Sequence, residues 1–256
     1  MRRLAALVAA FAIAALAAAC AAPPSAAPRV ATEGPTLSRA QLEAIVASAD
    51  RSDADRRNDE RRKPVEMLAF SGVRPGMTVL DVSAGGGYTS ELLARAVAPG
   101  GRVYAQTPRA PSAGLAARLK TPAAANVVSV VRPFESAPPA ELSPDGFDLV
   151  TLMFNYHDMG HLGVDRARMN AAVFAALKPG GLYVIADHSG RPGTGISESG
   201  TLHRVEEALV RREVEAAGFR LAGQGMFLRN PADPRDRNEP DGGQPKDEFV
   251  LRFVKP

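Results

Sequence analysis

The chain has 256 residues, a formal net charge of +3 and only 5% aromatic residues. That small charge, with no basic stripe carrying interleaved aromatics, excludes nucleic acid as a partner. A single cysteine excludes an internal disulfide, and the lack of tryptophan removes the best residue for an aromatic cage.

The chain opens with Arg2-Arg3 and an apolar run from Leu4 to Ala19. That run is shorter than the ~20 residues that span a bilayer. Ala17-Ala18-Ala19-Cys20 follows, so residues 1–20 read as a signal peptide. The lone Cys20 resembles the lipidated first residue of a bacterial lipoprotein. An exported, periplasmic protein held at the membrane by its N-terminal lipid is expected. Residues 21–36 are rich in Ala and Pro and read as a tether. Ser38 and Gln41 have capping-box spacing ahead of an apolar face of Leu42, Ile45 and Val46. Asp50 to Lys63 mixes both charge signs and reads as a solvated helix laced with ion pairs.

Pro75-Gly76 then turns the chain into an apolar run, Met77 to Leu80. Asp81-Val82-Ser83-Ala84-Gly85-Gly86-Gly87 follows, and after it Leu92, Leu93, Ala96 and Val97 recur at helical spacing. This is a strand, a glycine-rich turn and a helix. Glycine lets backbone approach a ligand, and the helix start offers free N–H groups. Further strands are expected at Arg102–Ala105, Asn126–Val131, Phe147–Phe154 and Leu182–Asp187, with a helix over Asn170–Leu177 stopped by Lys178-Pro179-Gly180-Gly181. Val205 to Ala217 is an amphipathic helix, with Thr201 to Arg204 at its start. Phe219–Leu228 and Asp247–Val254 read as the last strands. Strands alternating with helices make an α/β fold with a doubly wound, mostly parallel sheet. Ligands sit beyond the carboxyl ends of such strands, where Asp81, Asn155 and Asp187 fall.

Val79-Leu80-Asp81 with its glycine turn, Phe147-Asp148-Leu149-Val150 and Leu177-Lys178-Pro179-Gly180-Gly181 resemble the class I S-adenosylmethionine-dependent methyltransferases. More narrowly, the chain resembles a group of exported methyltransferases. That likeness rests on Arg62-Lys63-Pro64, Asn155 to Asp158, Asp187-His188, Gly200 to Arg204 and Arg229 to Asp233. The resemblance implies a Rossmann-like sheet of seven strands with an antiparallel last strand, over residues 73–256. An N-terminal helical extension over 37–72 precedes it, with Arg62 and Glu66 on a helix folded over the cleft. It implies S-adenosyl-L-methionine as cofactor, held by Asp81, Ser83, Gly85, Gly87, Gln106, Thr107 and Asn155. Two positions depart from the pattern. Ser83 stands for the first turn glycine, and Thr107 stands near the acid that usually holds the ribose hydroxyls.

Three of the four histidines, His157, His161 and His188, fall after strand ends. His157 is the candidate general base, Asp187 its orienter, and His188 a further catalytic candidate. His157 and His161 have i, i+4 spacing, but Gly160 and Gly163 argue against a helix there, so no metal site is assigned. Two functions are expected to compete. One is methyl transfer to a small molecule or an envelope component. The alternative is a non-catalytic envelope lipoprotein that keeps the fold and binds a metabolite or protein partner. A nicotinamide dehydrogenase is disfavoured, because Gly85-Gly86-Gly87-Tyr88-Thr89-Ser90 lacks the third glycine of Gly-x-Gly-x-x-Gly.

Overall fold

The structure is a computed structural model that describes residues 35–136, 142–238 and 246–256. Cys20, the signal peptide and most of the tether lie outside the described residues. Among the described residues, no helix is long and apolar enough to cross a membrane.

Seven strands form one sheet: β1 (Thr78–Val82), β2 (Arg102–Thr107), β3 (Val127–Val131), β4 (Phe147–Met153), β5 (Leu177–His188), β6 (Arg220–Gly225) and β7 (Glu248–Val254). Their order is β3-β2-β1-β4-β5-β7-β6. The first five run parallel, and β7 lies antiparallel to both β5 and β6. Residues alternate between the faces of a strand, so consecutive apolar residues feed two cores. Val79, Leu149 and Val184 join one with Leu42, Leu68 and Leu92. Leu80, Val150 and Ile185 join the other with Met169, Val173 and Val210. The strand order reverses between β1 and β2 on one side and β4 on the other, which opens a crevice at the ends of β1 and β4.

Helices α1 (Arg39–Val46), α2 (Asp53–Arg62) and α3 (Pro64–Ser71) precede the sheet. The capping box at Ser38 is present, with Gln41 N–H donating to Ser38 Oγ and Ser38 N–H donating to Gln41 Oε1. The charged segment is less solvated than its composition suggests. Arg51 is buried and pairs with Asp59 through two bonds of 2.7 and 2.8 Å. Asp55 is buried and receives both terminal nitrogens of Arg118 at 2.9 Å. These pairs clamp α2 to α4 (Tyr88–Val97) and α5 (Ala113–Arg118), so ionic contacts here fix tertiary position. Glu66, expected over the cleft, instead pairs with Arg39 at 3.4 Å.

Three boundaries differ from the sequence reading. α7 (Arg166–Ala176) begins earlier, because Asp165 caps it by accepting Arg168 N–H. β5 begins at Leu177 and absorbs Lys178 to Gly181 at a register shift opposite Phe147 and Leu149. α8 (Glu207–Ala216) begins at Glu207, and Thr201 to Arg204 is not helical. His203 lies there in the left-handed region, φ 51°. Tertiary contacts override the local pattern. Arg204 is fully buried and forks onto Asp233 at 2.8 and 3.2 Å, with a further bond of 3.0 Å to Ser189 O. A helical turn at Arg204 would pull the guanidinium off that carboxylate. Val205 N–H meanwhile donates to His188 O, so the segment returns beside the end of β5.

Removing one member of a buried ion pair leaves the other uncompensated, at a cost of about 3–5 kcal/mol. Arg204→Met should therefore lower the urea midpoint by that amount of stability with an unchanged m-value. A change under about 1 kcal/mol would show that the backbone N–H groups of Arg235 and Asp247 satisfy Asp233 without it.

Candidate functional site

The glycine turn leaves β1 through left-handed residues at Ser83 (φ 59°), Gly85 (56°) and Gly87 (82°). The two glycines serve different ends. A Cβ at Gly87 would come within 2.9 Å of the Leu115 and Arg118 side chains, and its φ itself favours glycine. A Cβ at Gly85 would meet only Ser83 O, at 3.9 Å, because the space beyond it is the cleft. Ser83 adopts a conformation that favours glycine, which places backbone strain at the site. Gly87 caps α4 without any side-chain bond, so the first N–H groups of that helix look onto the turn.

Asp81 is almost fully buried beneath the turn. Its Oδ2 accepts from Ser90 Oγ at 2.5 Å and its Oδ1 from Thr151 Oγ1 at 2.8 Å. Burial pushes its carboxyl up to about 6, against the pull of those hydroxyls and of Arg62. Asp81, Arg62, Ser83, Gly85, Tyr88 and Asn155 line one cleft of about 370 Å³, counting space open to solvent. A second of about 660 Å³ shares Ser83, Gly85 and Asn155 and extends past Thr107, Phe134 and Asp158.

Arg62 lines the smaller cleft, on the helix that the resemblance places over it. It ends α2, where Lys63 takes φ 45° and Pro64 starts α3. Its guanidinium lies 4.3 Å from the Phe154 ring centroid and 5.4 Å from that of Tyr88. Burial, aided by neighbouring Arg61, lowers its pKa to about 10, so it remains a cation at neutral pH. Its Nε is buried without a hydrogen-bond partner among the described residues. Phe154 is itself strained, at φ 60°, and is held by its N–H bond of 2.6 Å to Ala186 O.

The two β2 candidates part company. Thr107 lines the larger cleft, and its hydroxyl donates to Arg109 O at 2.7 Å, leaving the oxygen to act only as an acceptor. Gln106 lies on the opposite face. Its amide donates to Pro133 O at 3.0 Å and Ser136 O at 3.2 Å, so it fixes the loop after β3 and does not line either cleft. The period-two alternation of a strand makes this separation unavoidable.

His157 is brought to Asp187 as expected, but in a form unsuited to a base. Asp187, fully buried, accepts His157 N–H at 2.7 Å, contacts His157 Nδ1 at 2.6 Å and accepts His188 N–H at 2.7 Å. His157 Nε2 lies 3.0 Å from Asp158 Oδ1. Burial alone would lower the imidazole pKa, but the Asp187 and Asp158 carboxylates outweigh it and raise it to about 9. An imidazolium with both nitrogens against carboxylates has no lone pair to accept a proton, so the general-base assignment is withdrawn. His157 also lines neither cleft; Asn155 and Asp158 on either side of it do. Burial tends to raise the Asp158 carboxyl, yet its bonds to His157 hold it well below the usual range. Burial lowers His188, whose Nδ1 lies 2.9 Å from Glu248 Oε1 without being aligned to bond it. Asp158 to His161 forms a short helix, α6, despite Gly160. A Cβ at Gly160 would come within 2.4 Å of Ile196, so glycine is there for close packing.

No family model matches the chain. A 39-residue stretch is 62% identical to the protein-L-isoaspartate O-methyltransferase of Aeropyrum pernix, and it spans only 15% of either chain. Solved structures match far more widely. A S-adenosylmethionine-dependent methyltransferase from Aquifex aeolicus is 18% identical with a TM-score of 0.58, over 86% of this chain and all of that one. The CcbJ methyltransferase of Streptomyces caelestis is also 18% identical, with a TM-score of 0.54, over 82% of this chain and 100% of its own. The cyclase SpnF matches at 16% identity and a TM-score of 0.56, over 76% of this chain and 82% of its own. The fold is thus the Rossmann-like fold of the S-adenosylmethionine-dependent methyltransferases, and that fold also serves a cyclase.

Proposed function

We propose that the chain binds S-adenosylmethionine in the glycine-turn cleft and methylates a small molecule or an envelope component. The observation that carries this reading is Arg62, a half-buried cation whose buried Nε is unpaired among the described residues at the edge of the turn. An amino-acid moiety is complementary to that site. Its carboxylate suits Arg62 and the free N–H groups of α4, and its ammonium suits Asp81. Gly85 leaves the space, and Thr107 offers an acceptor for a ribose hydroxyl, a weaker bond than a carboxylate would form. Methyl transfer draws on in-line positioning more than on proton transfer. The bound sulfonium supplies an activated methyl group, and the chain's residues hold and orient it. An acceptor entering past Asn155 and Asp158 would meet polar side chains. Export and lipidation at Cys20 belong to this proposal. They rest on the N-terminal pattern, which resembles a lipoprotein processing site, and on the resemblance of the later motifs to exported methyltransferases, and Cys20→Ser should leave an unprocessed precursor on intact-mass analysis. A mature, unmodified N-terminus elsewhere in the wild type would defeat them.

Calorimetric titration with S-adenosylmethionine and S-adenosylhomocysteine tests the cofactor. Saturable binding is expected in the wild type. Gly85→Val should abolish it while circular dichroism is retained, because the added side chain fills the cleft. No binding at millimolar ligand would favour the non-catalytic envelope protein instead. Affinity should also depend on pH. The ligand ammonium favours ionised Asp81, whose carboxyl sits at about 6 in the free protein, so affinity should weaken as pH falls through that value. Asp81→Asn should remove that dependence. An equally steep dependence in the variant would assign it elsewhere.

A further inference from the structure

We propose that His157, Asp158 and His203 bind a divalent transition metal at the rim of the cleft, with His161 within reach as a fourth ligand. The donor atoms of His157, Asp158 and His203 all lie within 4.8 Å of one another. Asp158 Oδ1 is their hub, at 3.0 Å from His157 Nε2, 3.5 Å from His203 Nδ1 and 3.9 Å from His161 Nε2. Ligands around a tetrahedral zinc at ~2.0–2.1 Å stand roughly 3.3–3.4 Å apart, so the first two separations bracket that spacing.

The surroundings are those of a supported site. Metal-bound histidines are oriented by a partner on the other ring nitrogen. His157 Nδ1 faces Asp187 Oδ1 at 2.6 Å, and His161 Nδ1 faces Ser199 Oγ at 2.9 Å, so both rings turn Nε2 towards Asp158, and an ion there would displace the proton from His157 Nε2 and take its lone pair. Ser199 is buried and is fixed in turn by the carbonyl of His157. Asn155 Nδ2 occupies Asp158 Oδ2 at 2.8 Å, leaving Oδ1 for the centre. His203 is delivered by a left-handed residue locked beside fully buried Arg204. Imidazoles with one carboxylate suit zinc, copper or nickel better than magnesium or calcium. A second grouping, His157 with Asp187 and His188, has compatible distances. There Asp187 is fully buried and already engaged by two N–H groups and a ring nitrogen, so the Asp158 group is the better centre. Asp158 also lines the larger cleft, so an ion here would face whatever enters it.

The inference stands on the cluster's geometry and is independent of methyl transfer. The test is titration of the full chain, purified without a polyhistidine tag, with zinc against a chromophoric chelator, and with cobalt(II) for its visible absorption. One equivalent of zinc and a tetrahedral-type cobalt spectrum are expected. His203→Ala and Asp158→Asn should each weaken zinc affinity by about a hundredfold, and Ser199→Ala by about tenfold, the scale of a lost orienting partner. His188→Ala should leave it unchanged. Failure of the wild type to bind one equivalent would overturn the proposal. So would His203→Ala binding as tightly as wild type, or a loss confined to His188→Ala. His203 is half-exposed, so its removal is compatible with a folded chain, which circular dichroism checks.

Discussion

The Asp187 carboxylate is the contact on which the site depends. It stands at the end of β5 with no exposed surface, and it gathers the His157 N–H, the His157 ring and the His188 N–H. A buried charge is tolerable only where such bonds replace water. Those bonds tie the segment after β4 to the end of β5. Asn155, Asp158 and the short α6 turn lie next to this tie in the chain, and Ser199 joins it by donating to His157 O and accepting His161 N–H. The positive φ at Phe154 is the local expense of the same arrangement, and its ring stacks with Arg61, Arg62 and His188.

The opposite wall is built by ion pairs. Arg51 with Asp59 braces α2 on the turn before it, Asp55 with Arg118 fastens it to α5, and Arg61 with Glu248 fastens it to β7. Glu248 also stands beside His188, so the two walls meet at one carboxylate. Arg62 stands inside this frame with its Nε unpaired among the described residues. One side of the cleft therefore offers a positive group, and the floor a carboxyl whose charge is costly until something neutralises it. A zwitterionic ligand answers both.

Much of the fold was legible. β-branched and apolar runs such as Val79-Leu80 and Phe147 to Met153 gave the strands to within a few residues, and the glycine turn gave the point of ligand approach. The Asp187–His157 meeting was also readable, because β4 and β5 neighbour each other in this fold. Other features were hidden for physical reasons. Gln106 and Thr107 look equivalent in sequence, and only register tells which faces the cleft. Gly160 reads as a helix breaker until Ile196 is seen packed against it. His203 reads as helical because the bonds that hold Arg204 out of a helix come from Asp233 and Ser189, distant in sequence. The dense charges of α2 read as solvated because their partners, Arg118 and Glu248, lie far along the chain.

The most direct test is backbone hydrogen exchange of residues 154–162 in Asp187→Asn against the wild type. An amide keeps the shape and loses the charge that makes these bonds strong, and each such bond contributes about 1.5–3 kcal/mol. Protection of the His157 and Met159 to Leu162 amides should fall by about tenfold or more, while that of β1 and β2 stays within about twofold. Unchanged exchange after β4 would contradict the account. It would show that packing of Tyr156 and Met159, and not the Asp187 charge, holds this side of the site.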